Sequence, residues 1–134
     1  MTQRDIKFRA WSDRVCQFNY YKLEEIGVGI YEGSIIQQYT GLNDINQKDI
    51  YEGDIVKYQY QTGLSDPNFY EASGEIYFGQ GSFKVNGMLL GEGTYILNPI
   101  VIGNIFESPE LLDDTKISVN IPKRGRGRPK KEIF

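Results

Sequence analysis

Alternation of apolar and polar residues along the chain predicts many short β-strands. The clearest lies at residues 55–60, where successive side chains fall on opposite faces. Residues 6–11 alternate in the same way and predict a strand with one buried face. Further strands are predicted at residues 15–20, 35–39, 75–78, 83–86, 95–97 and 100–105.

Turn-forming residues separate these strands. Gly79-Gln80-Gly81-Ser82 lies between two predicted strands and indicates a β-hairpin. Residues 40–52 and 61–68 are rich in Gly, Asn, Asp and Pro and predict turns or loops, and residues 21–33 predict a loop. Ser108 as N-cap and Pro109 at the first helical position predict one short helical turn. The sequence therefore predicts an all-β barrel or sandwich with one helical turn near residue 110.

Composition limits the chemistry of this 134-residue chain. It has no His, which excludes His-dependent triads and His metal sites, and Cys16 is its one cysteine. Cys16 falls in a predicted strand without a neighbouring base, so we expect a buried, inert thiol. No nucleophile, base and orienting group come together, which predicts a protein that is not an enzyme and has no cofactor or small-molecule substrate.

The N-terminus lacks an apolar leader, and no apolar run reaches about 18 residues, so we expect a cytoplasmic protein without membrane contact.

An acidic stretch between residues 44 and 54 raises the question of a cation site. Lys48 and Asp49 stand where an EF-hand loop starting at Asp44 needs Asp or Asn and then Gly. We therefore expect no metal site, and we expect these carboxylates to stabilise turns.

Charge divides the chain into two parts. Residues 1–120 contain nine Lys and Arg and seventeen Asp and Glu, a net charge of −8. Residues 121–134 contain six Lys and Arg and one Glu, a net charge of +5. Residues 123–131 hold no apolar side chain that could join a core. We predict a β domain at residues 1–114 and a linker with an extended basic tail at residues 115–134.

The tail sequence Arg126-Gly127-Arg128-Pro129 resembles the AT-hook, a short motif that binds the DNA minor groove. The groove is about 6 Å wide, so a bare glycine backbone fits its floor while two arginines extend along it. Gly125 stands where AT-hooks often have Pro. The predicted nucleic-acid-binding residues are Lys123, Arg124, Arg126, Gly127, Arg128, Pro129, Lys130 and Lys131. The alternative is a solvated basic tail that binds polyanions weakly or docks on the acidic body.

Three segments of the body together resemble the YopX family of phage and prophage proteins. They read RDIKFRAW at residues 4–11, QYTGL at 38–42 continuing to IYEGDIV at 50–56, and VIGNIFESPELL at 101–112. The resemblance implies an SH3-like β-roll or barrel with long loops, a phage-derived genome context and no known activity. The sequence departs from the family at Gln47, where relatives often have Gly, and in the basic tail.

The residues of these segments have expected structural roles. Gly53-Asp54 predicts a turn in which the carboxylate binds backbone amides, and Gly103 predicts a bulge or a close backbone approach. Trp11 either covers one end of the barrel or is an exposed anchor for a partner.

Two functions fit this sequence. The first is a non-enzymatic phage accessory protein that binds double-stranded DNA through its tail. The second is a self-associating interaction module, a homo-oligomer whose tail does not bind nucleic acid. Six tyrosines could also form a stacking platform for single-stranded nucleic acid: Tyr20, Tyr21, Tyr58, Tyr60, Tyr70 and Tyr77. Such a platform needs basic surroundings and the body is acidic, so these tyrosines favour a self-association surface.

Overall fold

The structure, a computed structural model, describes residues 5–25, 30, 32–63, 65–91 and 94–113. These residues form ten strands, a 3₁₀ turn at Leu23–Glu25 and a helix, α1, at Glu110–Asp113. The strands are β1 Lys7–Ser12, β2 Gln17–Lys22, β3 Ile35–Asn43, β4 Asp49–Tyr51, β5 Asp54–Tyr60, β6 Tyr70–Glu75, β7 Tyr77–Gly79, β8 Ser82–Val85, β9 Met88–Leu89 and β10 Ile96–Asn104. The predicted all-β class and the short helical turn are confirmed. Within the described ranges, no helix has the length and apolar character needed to cross a membrane.

The strands pair in three antiparallel sheets. Their orders are β2-β1-β3-β4, β10-β5-β6 and β7-β8-β9. The SH3-like barrel implied by the family resemblance stays a prediction, since the described strands pair as three separate sheets.

The core lies around β5, the central strand of its sheet. Val56 and Tyr58 from β5 are buried together with side chains from other elements: Ile50, Ala72, Ile76, Val85 and Ile96. The strand predicted at residues 55–60 is confirmed. Ile55, on the opposite face, is also fully buried, so β5 is covered on both faces.

The hairpin predicted around residues 79–82 is confirmed. Gly79 pairs with Ser82, and Gln80 and Gly81 between them both have positive φ angles, 54° and 81°. Two successive positive φ angles are the pattern of a type I′ turn, whose twist matches that of the flanking strands.

The placement of Cys16 differs from the prediction. The residue is exposed, has a φ angle of 53° and lies in the turn before β2 rather than inside a strand. Pairing of Trp11 with Phe18 and of Ser12 with Gln17 fixes the hairpin register and leaves Cys16 in the turn. The predicted buried thiol is therefore wrong.

Several predicted loops contain strand. β3 continues through Gly41 to Asn43 and pairs with β4, both inside the segment predicted as turns. The strand predicted at residues 75–78 corresponds to β7. The sequence did not predict β6, Tyr70–Glu75, because the small residues Ala72 and Gly74 give it weak alternation. The two predicted strands flanking Pro99 are one strand, β10, with a register shift between Leu97 and Ile100.

Candidate functional site

A buried arginine connects three of the strands. Arg9 on β1 is 4% exposed, and its Nη1 lies 3.0 Å from Oδ1 of Asp54. Its Nε donates to Oε1 of Gln37 at 2.8 Å, and its Nη2 donates to the carbonyl oxygen of Glu52 at 3.0 Å. The planar guanidinium thus bonds three groups from three different nitrogens, whereas a lysine would have to reach all three from one nitrogen.

The turn before β5 holds Asp54 in place. Oδ2 of Asp54 accepts a hydrogen bond of 2.8 Å from the backbone N–H of Tyr51, as the sequence predicts. Gly53 has a φ angle of 83°, and a Cβ atom there would lie 2.0 Å from Nε2 of Gln37. A side chain at position 53 would therefore displace Gln37 from Arg9.

Aromatic rings enclose the arginine. Its guanidinium carbon lies 4.1 Å from the ring centre of Phe18 and 4.9 Å from that of Tyr51. Trp11, which is 6% exposed, contacts Phe18 edge-on and stacks on Phe106 at 5.1 Å. Trp11 is an interior residue, and its alternative role as an exposed anchor is wrong.

Burial controls the electrostatics of this cluster. Burial raises the pKa of Asp54, and it does so more than the Arg9 charge lowers it. Burial also raises the pKa of Tyr51 to about 12. Burial of both partners costs solvation free energy, which offsets much of the attraction between Arg9 and Asp54.

A cleft of about 410 Å³ opens beside the cluster. Its walls include Lys48, Asp49 and Glu107 along with Arg9 and Asp54. Charges of both signs line it, and the arginine already has three bonds, so the cleft offers no concentrated field for an ionic substrate.

The acidic stretch at residues 44–54 stabilises turns, as predicted. Asp44 accepts backbone hydrogen bonds from Asn46, Lys48 and Val101 at 2.8–2.9 Å. Burial raises its pKa, but these three N–H groups outweigh burial and the pKa is lowered overall. Asp49 forms a 2.7 Å ion pair with Lys7. In the described part of the chain, no group of three or more His, Cys, Asp or Glu side chains could hold a metal ion.

Gly103 lies where β10 meets α1. The β10 register shifts between Val101 and Gly103, and a Cβ at position 103 would lie 2.8 Å from both Leu111 Cδ1 and Ser108 Oγ. The bulge and the close approach predicted for this glycine are both confirmed.

The tyrosines do not form one surface. The rings of Tyr58, Tyr60 and Tyr70 pack against one another at 5.4–6.1 Å at the core. Tyr20 and Tyr77 are exposed on different sheets. The described tyrosines therefore provide no common stacking platform for nucleic acid.

The predicted nucleic-acid-binding residues, Lys123 to Lys131, lie outside the described residues, as does the predicted boundary at residue 114. Their role stays a prediction.

The buried arginine cluster is the feature that sequence reasoning missed. The available signal was that Arg9, Gly53 and Asp54 all lie in the segments that resemble the YopX family, and these residues meet in space at this cluster.

Comparison with known proteins gives the fold and the family of this chain. The crystal structure of protein EF1440 from Enterococcus faecalis is similar in fold, with a TM-score of 0.56 and 23% sequence identity, over 82% of this chain and 99% of that one. No curated protein matches the chain. The family model described as "YopX protein" matches residues 11–113, the span that contains Trp11, Asp54 and Phe106. The chain therefore belongs to the YopX family.

Proposed function

We propose that this chain is a non-enzymatic accessory protein of phage or prophage origin that binds double-stranded DNA through residues 123–131. Membership of the YopX family fits a phage-type protein whose role is unclear. The proposal places its action in the cytoplasm of a bacterial host cell, where DNA is accessible.

The observation that supports DNA binding is the division of charge. Residues 1–120 have a net charge of −8 and residues 121–134 one of +5. In the body, Lys7 and Arg9 are already paired with Asp49 and Asp54. An acidic body in which two of the nine cations are already paired repels a polyanion, so phosphate contacts fall to the tail.

The test compares full-length proteins on duplexes of equal length, one AT-rich and one GC-rich, by fluorescence anisotropy. Arg126→Ala with Arg128→Ala removes the two side chains expected in the groove, and Lys57→Ala, an exposed cation of the body, is the matched control. We expect the double variant to lose AT-rich binding by at least about tenfold and the control to bind as the natural chain does.

Salt dependence gives an independent measurement. Six phosphate contacts predict a slope of about −5 for log K against log salt. A chain ending at Asn120 should bind neither duplex. Equal binding by this shortened chain and the full chain would place the contact in the body and contradict the proposal.

The second candidate function is self-association. It is favoured by β2, an edge strand that presents Tyr20 with 60% of its surface exposed. Tyrosine is enriched at protein interfaces, and an open strand edge can pair with another chain. Light scattering on the natural chain over a range of concentrations tests it, and a monomer at every concentration would contradict it.

A further inference from the structure

Strand β2 is an edge that lacks the usual protection against pairing. Among the described residues it pairs with β1 alone, through six residues in continuous register. Its sequence, QFNYYK, has three aromatic residues, no Pro, no Gly and one charge at its end. The backbone N–H of Lys22 already donates to Oε1 of Glu25 at 2.9 Å, so the open part of the edge ends at Tyr21. An edge of this kind presents backbone N–H and C=O groups next to apolar side chains.

The other edges in the described part of the structure are protected. β4, β7 and β9 have only two or three residues. β10 contains Pro99 and two register shifts. β6 carries two glutamates, and its Ser73 carbonyl oxygen accepts a hydrogen bond from Asn86. Short strands, prolines, bulges and charges each discourage edge pairing, so β2 stands apart.

Two aromatic side chains of β2, Phe18 and Tyr20, lie on the same face of the sheet. Phe18 pairs with Trp11 and Tyr20 with Arg9 across the hairpin, so both lie on the face of the arginine cluster. Phe18 lies 6.1 Å from Tyr20, and Tyr20 lies 5.7 Å from Tyr51 between ring centres. The aromatic row therefore reaches the sheet edge and ends at the exposed Tyr20.

We propose that β2 pairs antiparallel with β2 of a second copy of this chain, about a two-fold axis at Asn19. This inference rests on the second candidate function and names its surface. A two-fold axis perpendicular to the sheet keeps each face on its own side, so only residues of the same face can pair. With the axis at Asn19, Phe18 of each copy faces Tyr20 of the other.

Charge and aromatic pairing favour this register. Lys22 would lie opposite Cys16 of the second copy, so no like charges meet along the strand pair. Moving the axis to Tyr20 would place the two Tyr20 side chains opposite each other and Phe18 opposite Lys22, so one aromatic pair would replace two. Aromatic cross-strand pairs stabilise a sheet, whereas an aromatic residue opposite a cation at this edge contributes less.

A second copy fits this edge because β2 is complementary to itself: about Asn19, each Phe18 meets a Tyr20 and no like charges meet. About the axis at Asn19, residues 17–21 of each copy pair strand to strand, a five-residue contact smaller than the roughly 1,200 Å² of stable interfaces, which predicts a reversible, concentration-dependent dimer. A dimer would also join two basic tails, which raises the avidity of a weak DNA contact without new contacts.

The first experiment measures dimerisation of the full-length chain by analytical ultracentrifugation without DNA. Tyr20→Lys places a charge at the proposed interface. Tyr95→Lys is the matched control, because Tyr95 is 57% exposed and lies outside the strands. We expect Tyr20→Lys to weaken dimerisation by about tenfold or more and Tyr95→Lys to change it less than about twofold. Thermal unfolding of both variants checks that each is folded.

The second experiment tests the register by disulfide trapping in a Cys16→Ser background. Asn19→Cys would place two cysteines across the axis, at the distance of about 5 Å that a disulfide needs. Gln17→Cys, on the same face, would place them about 13 Å apart. We expect Asn19→Cys to form a covalent dimer on mild oxidation and Gln17→Cys to remain monomeric on denaturing gels.

Either of two results would overturn the pairing: a natural chain that stays monomeric at every concentration, or cross-linking that is no faster at Asn19 than at Gln17. Both readouts use protein without DNA. Loss of DNA binding by the Arg126→Ala/Arg128→Ala variant, with dimerisation intact, would bear on the tail alone, so the two proposals fail separately.

Discussion

Replacement of Arg9 should lower the free energy of unfolding by an amount that shows how much the buried cluster stabilises the fold. Arg9→Met removes the ion pair to Asp54 and the hydrogen bonds to Gln37 and the Glu52 carbonyl. It leaves the Asp54 carboxylate, which is 2% exposed, without its cation. Breaking a buried ion pair from one side costs about 3–5 kcal/mol, a large share of the roughly 5–15 kcal/mol that stabilises a domain.

The double-mutant cycle separates this penalty from loss of packing. Asp54→Asn keeps an acceptor for the Tyr51 N–H but leaves Arg9 facing a neutral amide, at a cost of about 3 kcal/mol. In the double variant, Arg9→Met with Asp54→Asn, no unpaired charge is buried. We therefore expect its loss of stability to be smaller than the sum of the single losses by at least about 2 kcal/mol.

Urea unfolding at pH 7 measures these free energies, and the fluorescence of Trp11, the single tryptophan, reports directly on the cluster. Should Arg9→Met fail to fold, Arg9→Lys gives the milder form. It keeps the charge but loses the three-way fork, at about 1–3 kcal/mol. Single effects that add to within about 0.5 kcal/mol would refute the reasoning, because they would mean that the two residues do not share a buried contact.

Three further changes test individual positions by the same unfolding measurement. Gln47→Gly should stabilise the chain by about 1 kcal/mol over Gln47→Ala, because position 47 has a φ angle of 68°; equal stability of the two variants would contradict this strain. Gly103→Ala should destabilise by about 1–3 kcal/mol through contact with Leu111 and Ser108, whereas Gly63→Ala, with nothing within 4 Å of its Cβ, should be neutral or slightly stabilising. For Asp44, the folded-state pKa lies below its ordinary value of 3.8, so its carboxylate contributes stability above that value and loses it as the pH falls through the folded-state pKa. The natural chain should therefore exceed Asp44→Asn in stability by about 1 kcal/mol at pH 7, and the gap should shrink near pH 3; a gap that grows in acid would be inconsistent with this sign.

Local features of the fold could be predicted from the sequence because their causes are short-range. Strand β5 follows from the alternation at residues 55–60, and the hairpin of β7 and β8 follows from Gln80-Gly81 between two apolar segments. Gly53-Asp54 likewise predicted a turn in which the carboxylate binds a nearby backbone N–H. In each case a few adjacent residues fix the backbone angles, so distant parts of the chain add little.

The exposure of Cys16 was predicted incorrectly and β6 was not predicted, for the opposite reason. Hairpin register depends on which cross-strand pair packs best, and here Trp11 meets Phe18. β6 has little alternation of its own and is held as a strand by pairing with β5 along six residues. Pairing partners are a property of the folded chain, so a window of neighbouring residues cannot reveal them.

The sequence by itself determined the all-β class, the family, and the separation of an acidic body from a basic tail, because alternation, motif and charge are written along the chain. The alternation of residues along β1 assigns no partner to Arg9. Only the tertiary structure decided that Arg9 is buried among Asp54, Gln37 and two aromatic rings. It also decided that, among the described strands, β2 is an edge that pairs on one side only. A charge can be buried only where distant groups neutralise it, and a strand edge is open only where no other strand arrives; both depend on contacts between segments far apart in the chain.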